Sequence, residues 1–334
     1  MTTKPINENV PILKGLNLTN EKLRDAEQQS NMLLIDIETS NKCNLNCQYC
    51  FRDVYGTKEA LEKELPLTKR LELITQAKGL GCETIKITGA GEPLADKNVW
   101  PMIEHANSLD MWVVMFTNGS LITKRIAEKI FAMDVSLIVK CNSLEEKKED
   151  FMVGRKGYAK QRNDALQILT ELGFNKTYPT RLGRDLVITA INKEEVYNSL
   201  RWCRQNNIFP IFRPLMLIGA ATKLTDWMMS KEETTEMYEQ AREIDSKEFG
   251  LNYCLTLPYM GGVWCRQLHY AMYVNILGEA YACTGSKKLL GNFKAQSLQE
   301  IWGSDAAKKI RNTPYESCPL RESYWRGEKN NDCV

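Results

Sequence analysis

Short apolar, β-branched runs alternate with stretches of helical period through the middle of the chain. The runs at residues 33–37, 84–88, 112–116, 135–139, 186–191 and 208–212 are largely apolar at successive positions, the pattern of strands buried on both faces. Between them, apolar residues recur every three or four positions at 68–78, 124–131, 164–172 and 194–204, which predicts amphipathic helices. Strand then helix, repeated, predicts parallel β/α units. Six such strands are too few for a closed eight-stranded barrel, so an open or partial α/β barrel is expected, with ligands at the carboxyl ends of the strands. Further on, Ser230-Lys-Glu-Glu233 reads as a capping box opening a charged helix to about Lys247, a connector to the last quarter of the chain.

Composition narrows the class. With 334 residues, 43% hydrophobic and 26% charged, the chain can build one large core or two domains. Its net charge of +2 gives no broad basic field, so extended nucleic-acid binding is not expected. No apolar run approaches the ~20 residues of a membrane span. The first 31 residues are polar and lack an apolar signal region, so no membrane association and a cytoplasmic location are expected. In that setting eleven cysteines point to metal clusters rather than disulfides.

Three of those cysteines, Cys43, Cys47 and Cys50, stand within eight residues. A closed [4Fe–4S] site uses four thiolates, so a triplet leaves one iron open to a ligand from outside the protein. A zinc site would pair two knuckles, and no second knuckle or histidine pair lies nearby. Glycine-bearing loops follow the second and third predicted strands: Gly89, Ala90, Gly91, Glu92 and Pro93, then Thr117, Asn118 and Gly119. Glycines there permit close approach of backbone to ligand. The fourth strand runs into Lys140, Cys141 and Asn142, placing a cation and an amide at the same end.

The Cys-x3-Cys-x2-Cys spacing, with the aromatic Tyr49 before the last cysteine, resembles the signature of the radical S-adenosylmethionine (SAM) superfamily. The resemblance implies a partial (β/α)6 barrel and a [4Fe–4S] cluster whose open iron chelates SAM. Reductive cleavage of SAM would then give a 5′-deoxyadenosyl radical that abstracts a substrate hydrogen, with an external electron donor such as flavodoxin or ferredoxin. Residues Gly89 to Pro93 resemble the family's Gly-Gly-Glu-Pro element, whose backbone meets the SAM amino group, with Ala90 in place of the second glycine. Tyr49, Asn118, Lys140 and Asn142 are the further candidate cofactor contacts, with a substrate contact an alternative for Lys140 and Asn142. Glu92 is not expected to be free as an acid. Arg213 points to the catalytic rim more readily than Arg184.

The last quarter carries a second constellation: Cys265, twelve residues, Gly278, four residues, Cys283, and then Ser297-Leu-Gln-Glu-Ile-Trp302. This resembles the start of the small α+β SPASM or twitch domains of the family, which hold auxiliary clusters. Cys318 and Cys333 complete four thiolates for one auxiliary [4Fe–4S] cluster, with Cys254 the reserve for Cys333. Cys82, Cys141 and Cys203 read as unligated, and His105 as structural. The implied domains are an N-terminal extension (1–30), a barrel (31–225), a helical linker (226–255) and an auxiliary domain (256–334).

For the substrate, the short N-terminus and single auxiliary cluster resemble family members that oxidise sugars or aminocyclitols, a two-electron alcohol dehydrogenation. The alternatives are redox-neutral epimerisation or decarboxylation of a sugar, and modification of a ribosomal peptide. A general base is not identifiable from the sequence.

Overall fold

The computed structural model describes residues 11–16, 18–52, 58–253, 260–261, 265, 267–313 and 318–326. Its centre is one sheet. Strands β1 (Leu34–Ile37), β2 (Thr84–Ile87), β3 (Trp112–Thr117), β4 (Ser136–Lys140), β5 (Leu182–Ile188) and β6 (Phe209–Pro214) pair in parallel in chain order. The far side of β1 is taken by β7 (Ala271–Val274), also parallel, which continues through β8 (Glu279–Tyr281) and β9 (Gly291–Asn292) as an antiparallel meander. The sheet order is therefore β6-β5-β4-β3-β2-β1-β7-β8-β9. The sheet thus runs unbroken across the boundary expected near residues 226–255.

The helices in chain order are α1 (Asn20–Gln29), α2 (Lys58–Glu62), α3 (Leu67–Gly79), α4 (Val99–Ser108), α5 (Lys124–Ala132), α6 (Glu146–Val153), α7 (Tyr158–Glu171), α8 (Val196–Gln205) and α9 (Lys231–Phe249). After them come α10 (Gln267–Tyr270), α11 (Leu298–Gly303), α12 (Asp305–Asn312) and α13 (Pro319–Trp325). The outer face of the strands, including Ile35, Ile37, Ile85, Ile87, Met115, Leu137 and Leu186, packs against these helices as the main core.

The opposite face alternates with it, as successive side chains must. At its lower end Val114, Ile138, Phe209 and Ile211 close around Leu13, with Leu16 beside them. Residues 11–16 are therefore a plug in the barrel floor rather than a separate extension. Further up the strands the apolar side chains give way to charges: Lys86, Lys140, Asp185 and Arg213 all line a cavity at the carboxyl ends of the strands.

Strand β5 starts four residues before the run at 186–191, and it ends at Ile188. Gly183, Arg184 and Asp185 hide a strand from any apolar pattern. Arg184 Nε donates to Cys141 O at 2.9 Å with its guanidinium over the rings of Trp202 and Phe212, and Asp185 pairs with Lys140. Asn192 Oδ1 accepts from Thr189 N at 2.8 Å and turns the chain out of the sheet.

Helix α9 opens on the capping box of Ser230 and Glu233. It lies along α8, held by Arg204, whose Nε and Nη2 each donate to a different Asp245 oxygen at 2.8 Å. Asp245 is fully buried, so Asp245→Ala strands an arginine without its counter-charge. The expected loss is about 3–5 kcal/mol, read as a lower urea midpoint with an unchanged slope. Among the described residues, no helix is long and apolar enough to cross a membrane.

Candidate active site

The segment after β1 carries Cys43, Cys47 and Cys50, and it is fastened at both ends. Near its start Glu64 accepts from Ser40 Oγ at 3.0 Å and Asn41 N at 2.7 Å. At its end both carboxylate oxygens of the buried Glu38 accept from Arg52 Nη1, at 2.7 and 2.9 Å, and Glu38 also accepts from the Tyr273 hydroxyl and from Ile276 N. Burial pushes the Glu38 carboxyl up, with Arg52 opposing it. Glu38 so binds the cysteine segment to β7 and the turn after it.

The β2 loop closes on the same segment. Gly91 N donates to Ser40 O and Glu92 N to Lys42 O, each at 2.8 Å. A Cβ on Gly91 would stand 2.0 Å from Lys42 O and 2.4 Å from its carbonyl carbon, so only glycine fits. Glu92 is buried and accepts from Thr117 Oγ1 at 2.7 Å, Asn118 N at 2.7 Å and Leu94 N at 3.2 Å. It clamps two loops together, and burial pushes its carboxyl up. Asn118 Nδ2 in turn donates to Asn44 Oδ1 at 2.9 Å. From the other side Gly219, at φ +59°, packs where a Cβ would meet the Phe51 carbonyl carbon at 2.2 Å.

These loops surround a cavity of about 210 Å³, lined by the three thiols, Tyr49, residues 89–93 and Asn118 on one part of its wall. A single water needs roughly 10–15 Å³ on the same measure, so the space suits a sizeable ligand. Burial pushes the Cys47 thiol up to about 12 and raises Cys43 and Cys50 as well. Such thiols are poor free nucleophiles at neutral pH, whereas iron would deprotonate them. Backbone N–H groups of Asn44 and Leu45 face the Cys43 sulfur and that of Arg52 faces Cys50, as suits cluster sulfurs. The donor set fits a cluster held by three thiolates.

Across the cavity Lys140 Nζ bonds Asp185 Oδ2 at 2.9 Å, and Arg213 Nη2 reaches the same carboxylate at 3.2 Å. Burial alone would raise Asp185, yet Arg213 and Lys140 together hold it below the usual carboxylate value. The Lys140 ammonium also lies 4.9 Å over the Tyr49 ring. Asn142 departs from expectation: it is fully buried outside the lining, its Oδ1 accepting from Val187 N at 3.0 Å and its carbonyl from Asn192 Nδ2 at 2.8 Å. Its side-chain amide donates to Glu149 Oε1 at 3.4 Å. Arg213 lines the cavity, while Arg184 is turned to the helix layer.

The third wall comes from the C-terminal region: Gln267, Thr284 and Arg321. Two of these flank candidate cysteines. Burial pushes Cys265 up to about 11 and Cys283 up to about 12, and Cys318 adds to the effect on both. N–H groups of Gly285 and Ser286 face the Cys283 sulfur. Cys254 and Cys333 lie outside the described residues. Cys82 and Cys203 are in the main core, Cys141 is buried with its thiol toward Ser143 O, and His105 bonds Thr75 Oγ1 at 2.8 Å. No local pattern announces Asp185, Glu38 or Gln267, which act through partners far along the chain.

The sequence profile of the Radical SAM superfamily matches residues 37–213, more than half of the chain. The chain belongs to the radical SAM superfamily. An iron–sulfur cluster-binding domain of the SPASM type matches residues 265–322. The cofactors are accordingly SAM, a [4Fe–4S] cluster and auxiliary iron–sulfur chemistry in the C-terminal region. The AdoMet-dependent heme synthase of Methanosarcina barkeri is 23% identical over 312 residues, covering 83% of this chain and 84% of that protein. The PqqA peptide cyclase of Bradyrhizobium diazoefficiens is 23% identical over 335 residues, covering 90% and 83%. The fold is that of Streptococcus suis SuiB bound to precursor peptide SuiA, with a TM-score of 0.69 at 16% identity, covering 95% of this chain and 81% of that one.

Within this radical SAM chain Gly91 makes a direct test of the loop clamp. Gly91→Ala should displace residues 42 and 43 and lower iron retention and SAM cleavage at least tenfold, while Ala90→Gly, which removes only a methyl group, should change both by less than twofold.

Proposed function

We propose that this chain is a peptide-modifying radical SAM enzyme that oxidises its substrate by two electrons. In this reading Cys43, Cys47 and Cys50 hold the SAM-binding cluster, and Cys265, Cys283 and Cys318 hold the auxiliary one with a fourth ligand from outside the described residues. When bound, the first cluster and SAM supply a 5′-deoxyadenosyl radical that takes a substrate hydrogen, and the auxiliary cluster supplies an electron acceptor. The observation that carries the reading is that one cavity is walled by the first cysteine set on one side and by Gln267 and Thr284, neighbours of the second set, on another.

This chain's own residues bind and orient. Residues 89–93 offer backbone to the SAM amino group, and their N–H groups at 91 and 92 are already committed, which leaves carbonyl acceptors for an ammonium. Lys140 and Arg213, both paired with Asp185, are cations on the wall that the SAM carboxylate would meet. Leu45, Phe51, Phe116, Val187, Leu215 and Met216 give the remaining wall an apolar character that excludes water from a reactive centre.

A peptide is preferred over the sugar or aminocyclitol that the sequence suggests. A relative whose alignment covers 90% of this chain is a peptide cyclase. The test is mass spectrometry of reconstituted enzyme with SAM, reductant and two panels, short precursor peptides and aminocyclitols. A peptide lighter by two hydrogens supports the proposal. Turnover of the aminocyclitols alone overturns it in favour of alcohol dehydrogenation, and product of unchanged mass overturns the oxidation.

A further inference from the structure

A charged pair stands between the cavity and the second cysteine set. Asp36 of β1 and Lys86 of β2 are register partners, and Lys86 Nζ bonds Asp36 Oδ1 at 2.8 Å. Lys86 lines the cavity; Asp36, fully buried, lies behind it. On its other oxygen Asp36 accepts from the side-chain amide of Gln267, two residues beyond Cys265. A continuous path of bonded groups therefore runs from the cavity through Lys86, Asp36 and Gln267 to the auxiliary site. Lys140, by contrast, lies on the side of the first cysteine set, its ammonium 4.9 Å over the Tyr49 ring.

Stability does not account for the pair. A buried ion pair in a sheet is often matched or bettered by apolar side chains of similar volume. The pair also projects from the inner face at the level where the lining turns from apolar to charged.

We propose that Lys86, fixed by Asp36, is a positioning residue that sets the reduction potential of the auxiliary cluster from the cavity side. The inference rests on the auxiliary-cluster reading above. In the proposed oxidation the substrate radical would lose one electron to the auxiliary cluster and one proton to bulk solvent. A fixed cation beside the cluster favours the added negative charge, and a fixed carboxylate disfavours it. The two members therefore tune in opposite directions.

The experiment is an EPR-monitored redox titration of the full-length protein with both clusters loaded. Lys86→Met should move the auxiliary midpoint to more negative potential, and Asp36→Asn should move it to more positive potential. Lys86→Arg should leave it near the parent value. Lys140→Met should shift the SAM-binding cluster more than the auxiliary one. Shifts of the same sign in Lys86→Met and Asp36→Asn, or no shift in either at full iron content, overturn the proposal. Should Lys86→Met lose iron, the sign of the Asp36→Asn shift decides. A parent protein with only one cluster signal refutes the auxiliary-cluster reading itself, and is distinguishable from failure of the tuning.

Discussion

Replacing Cys43, Cys47 and Cys50 together by alanine should remove about four of roughly eight irons and reduce 5′-deoxyadenosine formation to background. The loop that bears them should stay in place. It is held by Glu38 to Arg52, by Glu64 to Ser40 and Asn41, and by the two backbone bonds from Gly91 and Glu92, none of which uses a thiol. The variant should therefore unfold near the parent's apo-protein midpoint while losing all SAM chemistry. Iron analysis, circular dichroism and chromatography of the SAM products check the three parts separately. Unchanged iron, or zinc in its place, would remove these cysteines from the cluster.

The second large effect is a separation of two steps. Cys265→Ala with Cys283→Ala should abolish oxidised product yet leave SAM cleavage above background, because the first cysteine set, residues 89–93 and Lys140 occupy another part of the wall. Substrate hydrogen should still reach 5′-deoxyadenosine, which deuterium at the reacting carbon would report by mass. Full product formation in this variant would contradict the oxidative account, since the electron would have found a different acceptor.

Much of the barrel is legible in the sequence because its strands are buried on both faces. The runs at 84–88 and 112–116 fall within one residue of β2 and β3 for that reason. Where the interior is charged, legibility fails: Arg184 and Asp185 mask the start of the fifth strand, since their partners Lys140, Arg213 and Cys141 O come from elements that no local window contains. Strands β7 to β9 are two to four residues each, too short for a period to register, and β7 joins the barrel strands through β1, more than two hundred residues away.

The candidate site divides the same way. The cysteine spacing and the glycines of residues 89–93 are local, and they meet around one cavity. A place at a strand end suggests that Asn142 faces the ligand, but its amide satisfies Val187 N in the wall. The tuning pair does leave a trace in the sequence: Ile35-Asp36-Ile37 and Ile85-Lys86-Ile87 are apolar triplets with a charge at the centre, of opposite sign, on strands that pair.

The central claim is that three cysteines and the loop of residues 89–93 make a SAM-cleaving centre. The most direct measurement is to reconstitute the protein anaerobically, reduce it with dithionite, add SAM and separate the products. The account predicts 5′-deoxyadenosine and methionine. S-adenosylhomocysteine as the only product, or neither product under several low-potential reductants at full iron content, would contradict it.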